Sequence, residues 1–125
     1  MVREPDTTEI VRRLRSAGAR FAFLHGSRAA GTARPDSDVD VAAWFGAGAP
    51  AAYEVDVPAG VDLCVLDSAG LELAGRVALH GKLLFEDDPA ARVTWQAQTR
   101  LMYLDEELRQ RKLDRLFFEE HGRGR

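Results

Sequence analysis

Four positions carry the chemistry: a Gly26-Ser27 pair and, after ten intervening residues, Asp38 and Asp40 separated only by Val39. A glycine at a corner of the chain lets the backbone approach an anion closely, because no Cβ intervenes. If a short helix begins at that corner, its first N–H groups point at the same anion. Ser27 adds a hydroxyl donor, and Arg28 is the next cation along the chain. Two carboxylates at i and i+2 on an extended strand project the same way, with Cα atoms ~6.6 Å apart. That spacing reaches a pair of Mg²⁺ ions ~3.5–4 Å apart, and hard oxygen ligands suit Mg²⁺. A phosphate-binding turn facing two metals meets the needs of nucleotidyl transfer, a reaction governed by positioning and electrostatics.

Asp62 is the unexpected residue in the apolar run Val61–Leu66. On a strand beside Asp38 and Asp40 it supplies a third carboxylate, able to bind the catalytic metal and to take the proton of an acceptor hydroxyl. Asp56 and Asp67 compete for that place if the register differs. Each feature has a plainer reading. Gly26-Ser27 alone is a strand terminator with a helix cap, Asp38 and Asp40 alone are a solvated strand end, and Arg28 and Arg34 are surface cations. His25 reads as a strand-end residue and Cys64 as a small buried hydrophobe. The joint spacing favours chemistry.

The elements that must hold these residues follow from the pattern. Asp6 and Glu9 resemble a capping box for a helix over about 7–17. Residues 20–25 read as a strand that runs into Gly26, and 38–45 as a strand with Asp38 and Asp40 on one face. Residues 51–58 stay undecided between an edge strand and plain connection. Val61–Leu66 is a further buried strand, Ser68 a cap for a helix ending at Gly81, and 82–85 a last short strand. Pro89 opens a helix to about Phe118, with an apolar stripe through Val93, Ala97, Leu101, Leu104 and Leu108. The fold class is therefore α/β (α+β), a short mixed sheet with helices packed on it.

At 125 residues the chain fits one domain, 1–125, too short to add a full acceptor-binding domain. A net charge of −3 provides no general field for a polyanion, so nucleic acid is not expected as a direct partner. No apolar run approaches the ~20 residues that span a bilayer. One cysteine excludes an internal disulfide, and a cytoplasmic location is expected.

The run GSRAAGTARPDSDVDVAAWF resembles the signature of the DNA polymerase β-like nucleotidyltransferases, and more closely that of the minimal nucleotidyltransferase (MNT) antitoxins paired with HEPN toxins. Ala30 departs from the pattern, standing where relatives often have arginine. The resemblance implies a polymerase β palm-like sheet with a long C-terminal helix. It implies ATP as substrate, Gly26, Ser27 and Arg28 as nucleotide contacts, and Asp38, Asp40 and Asp62 as catalytic and Mg²⁺-binding residues. It also implies transfer of AMP to a tyrosine of a HEPN ribonuclease toxin, with which the chain would form a hetero-oligomer. The helix over about 89–118, ~45 Å long, exceeds what a small sheet can cover and is expected to help form the toxin-binding surface. The alternatives are a nucleotidyltransferase acting on a small molecule and a silent antitoxin that works by contact alone.

Overall fold

In the computed structural model, residues 6–26, 30–31 and 38–122 are described. Helix α1 (Thr7–Ser16) is followed by β1 (Phe21–Leu24), β2 (Val39–Trp44) and β3 (Val61–Val65), then α2 (Leu71–His80), β4 (Lys82–Glu86) and α3 (Pro89–Gly122). Short 3₁₀ turns occupy Ala52–Glu54 and Leu66–Ser68. The undecided segment 51–58 thus contains a turn and no strand, consistent with Pro58, which has no N–H to give a ladder.

Strands are ordered β3-β2-β1-β4. The β1 strand pairs antiparallel with β2 and β4, whereas β2 and β3 run parallel. The sheet is mixed, as expected. Alternation along each strand divides the core between its two faces. On one face Ile10 and Leu14 of α1 pack with Ala22, Leu24, Val41, Ala43, Val65 and Phe85. On the other, Phe21, Phe23, Ala42, Leu66 and Val77 pack with Trp44, Cys64 and Trp95. Phe21 stacks on Trp44 at 5.2 Å, and Trp95 tilts against both Phe21 and Phe23. Phe21, Phe23, Leu14, Val41 and Val77 are fully buried, each such side chain contributing roughly 1.5–3 kcal/mol relative to an exposed one.

Two helix starts differ from the sequence reading. Asp6 caps α1 by accepting from the Thr8 N–H at 3.1 Å, but Glu9 reaches forward to Arg12 and Arg13 and not back to the cap. Ser68 does not cap α2. It lies in the 3₁₀ turn that closes β3, and its hydroxyl faces the Val65 carbonyl, so α2 begins after Gly70 without a side-chain cap.

Helix α3 gives the largest correction. The stripe read from the sequence is not its core face: Val93, Leu101, Leu104 and Leu108 are exposed, Leu101 by 70%. The buried residues are Gln96, Thr99 and Tyr103, with Trp95 half-buried beside them. Tyr103 lies so close over Gly75 of α2 that any Cβ there would overlap its ring. Gln96 and Arg100 donate to the Ala78 carbonyl at 2.9 and 2.7 Å, satisfying an acceptor near the α2 C-terminus. Residues 108–120 are exposed throughout. None of the helices among the described residues is long and apolar enough to cross a membrane.

Candidate active site

The parallel pairing of β2 and β3 puts Asp40 opposite Asp62. Adjacent strands lie ~4.8 Å apart, so the two carboxyl-bearing positions are neighbours at the same end of the sheet. Asp38 stands one residue before β2 and is exposed; alternation puts it on the same side as Asp40. The rival positions are engaged elsewhere. Asp67 accepts from the Phe45 and Gly46 N–H groups at 3.0 and 2.8 Å, at the far end of β2, and Asp56 pairs with Arg13.

At the end of β1 the His25 N–H donates to the Asp40 carbonyl at 3.0 Å. Gly26 then turns the chain with φ +65°, a conformation that L side chains resist. A Cβ built on Gly26 would lie 2.5 Å from Asp40 Oδ2. The Ala30 N–H donates to the Gly26 carbonyl at 3.2 Å. Ser27 and Arg28, expected as nucleotide contacts, lie outside the described residues, as does Arg34.

His25 stands directly after β1, as read from the sequence. Its Nε2 is buried without a hydrogen-bond partner. Burial pushes its pKa below the usual imidazole value, the nearby Asp40 and Asp62 carboxylates oppose that, and Arg76 adds to the lowering. Burial, helped by Asp62, pushes the Cys64 thiol up, so it is an inert apolar filler. Beside the carboxylates opens a cavity of about 530 Å³ lined by His25, Gly26, Ala30, Leu73, Arg76, Val77 and His80. Arg76 and His80 were not anticipated from the sequence; their only signal there is a four-residue spacing on a helix.

Among the described residues, no three His, Cys, Asp or Glu side chains form a group able to hold a metal ion. The Asp40–Asp62 pair nevertheless fits Mg²⁺, which characteristically takes one or two carboxylates and completes its shell with water and substrate phosphates. What the arrangement offers is an open carboxylate pair beside a turn that is bare of side chain.

The family model for polymerase beta-type nucleotidyltransferases matches residues 9–90, and the chain belongs to that family. Its fold is similar to that of a toxin–antitoxin complex solved with AMP-PNP, with a TM-score of 0.69 and 24% identity over 90% of this chain and 99% of that one. It is also similar to the MntA-HepT toxin–antitoxin, at 0.60 and 23% over 86% of this chain and 93% of that one. A third similar structure is the MNT antitoxin complex with the tri-AMPylated Shewanella oneidensis HEPN toxin, at 0.60 and 23% over 86% and 92%. No curated protein matches the chain.

The glycine corner gives a direct test. Gly26→Val forces a β-branched residue to a positive φ, costing roughly 1–3 kcal/mol, and drives a side chain onto the Asp40 carboxylate. The expected result is a folded protein with a lowered melting temperature and ATP affinity reduced at least about tenfold, measured by calorimetry. Unchanged ATP affinity would mean that the phosphates bind elsewhere.

Proposed function

We propose that this chain, as a single nucleotidyltransferase domain, is a Mg²⁺-dependent protein adenylyltransferase that moves AMP from ATP onto a tyrosine of a HEPN toxin and so acts as its cytoplasmic antitoxin. The observation that carries this is the juxtaposition of Asp40 and Asp62 with Gly26 packed against Asp40. The likeness to complexes described as holding AMP-PNP and a tri-AMPylated HEPN toxin supports the choice of nucleotide and acceptor.

In this reading the Gly26 backbone and Ser27 receive the phosphates, with Arg28 at their side. The Asp40–Asp62 pair, with Asp38 beside it, would hold Mg²⁺, whose charge would offset that of the triphosphate. Asp62 takes the proton of the acceptor hydroxyl as its oxygen bonds to the α-phosphorus. The bond from that phosphorus to the bridging oxygen breaks, and pyrophosphate leaves.

Incubation with the cognate toxin, Mg²⁺ and ATP labelled at the α-phosphate is expected to label the toxin, whereas label at the γ-phosphate is not retained. Label arriving only on a small molecule would move the acceptor. The exposed apolar face of α3 favours one second reading, neutralisation by contact alone. Toxin silenced without label would establish that alternative.

A further inference from the structure

The cavity beside the carboxylates has a wall that the catalytic reading leaves unused. His25, Gly26 and Ala30 line one side, while Leu73, Arg76, Val77 and His80 of α2 line the other. Arg76 and His80 are four residues apart, hence one above the other on that helix. Most other arginines with a partner among the described residues hold it closely: Arg92 is 2.6 Å from Glu86, Arg15 is 2.8 Å from Asp87 and Arg109 is 3.1 Å from Glu106. Arg76 reaches Glu72 only at 3.6 Å, with the two side chains 59% and 73% exposed. Such a pair contributes little, so the guanidinium keeps its capacity for another anion.

We propose that Arg76, with His80 beside it, forms the far wall of an anion subsite that receives the pyrophosphate end of the nucleotide. This rests on the nucleotidyl-transfer reading above, and it assigns that reaction's leaving group a place. Negative charge builds on the leaving oxygens as the bond to the α-phosphorus breaks, and a cation there stabilises it. A planar guanidinium matches phosphate oxygens in a two-point contact that an ammonium does not reproduce. Gly26 lies against the Asp40 carboxylate at one side of the cavity, and Arg76 faces it from α2.

Calorimetric titration with Mg²⁺-pyrophosphate tests this without catalysis, using the full chain, Arg76→Met and Arg76→Lys. Because Arg76 is exposed and joins no buried network, both variants are expected to melt with the wild type. Arg76→Met should bind pyrophosphate about tenfold more weakly, ~1.4 kcal/mol, with Arg76→Lys intermediate and AMP binding unchanged. His80→Gln should show a smaller loss. Equal pyrophosphate affinity in wild type and Arg76→Met, or no binding by the wild type, would overturn the subsite. Labelled transfer distinguishes this from the broader reading. Transfer without an Arg76 effect removes the subsite and leaves the activity standing, whereas an Arg76 effect on pyrophosphate without transfer does the reverse.

Discussion

Asp40→Asn is expected to reduce AMP transfer at least about a hundredfold while leaving the melting temperature unchanged or slightly higher. The two effects have one origin. Asp40 and Asp62 are directly opposed across β2 and β3, and like charges facing each other across strands are destabilising. Asparagine keeps the shape beside Gly26 but removes the charge a metal needs. Asp62→Asn should behave similarly and, if Asp62 is the proton acceptor, should lose more at saturating acceptor. Asp38→Asn should also lose transfer. Full activity with α-labelled ATP in Asp40→Asn would end the metal assignment, and an unfolded variant would show that the carboxylate is structural.

Truncation after Gln110 is expected to leave a folded protein that binds ATP and no longer co-purifies with its toxin. Residues 111–120 bury no side chain in this chain, so their removal costs the core nothing. A helix of 34 residues is ~51 Å long at 1.5 Å per residue, more than a four-stranded sheet can cover. Leu113, Leu116 and Phe118 are each about half exposed or more, and apolar clusters of this kind mark interaction surfaces. Losing several such anchors should weaken the complex by at least about a hundredfold, since single hot-spot residues contribute ~2 kcal/mol or more. A truncated protein that unfolds would assign the helix end to the core. One that still captures the toxin would move the interface elsewhere, with the outward stripe at Leu101, Leu104 and Leu108 next to be tested.

The strands and the carboxylates were readable in the sequence for the same reason. Period-two alternation places Asp38 and Asp40 on one face and also announces a strand, so element and site appear together. Asp62 was recognisable as a charge inside an apolar run, but its register against Asp40 depends on a parallel pairing that no local pattern encodes. The faces of α3 were not legible. A helix that is apolar on more than one side does not declare which side its own sheet takes, and Gln96 and Thr99 were accepted into the core because Tyr103 could settle on the bare Gly75. Arg76 was hidden for a different reason: a lone surface arginine on a helix has no signature until the fold brings it to a cavity.

The missing side chain at Gly26 also brings the turn after β1 into direct contact with Asp40. Asp40 Oδ2 occupies the space a Cβ would fill, and the neighbouring N–H of His25 is bonded to the Asp40 carbonyl. A displacement of a few tenths of an ångström at the corner is transmitted to the carboxylate by direct contact. If the turn receives phosphate as proposed, a substitution that changes its affinity also presses on Asp40, so the two properties are expected to vary together.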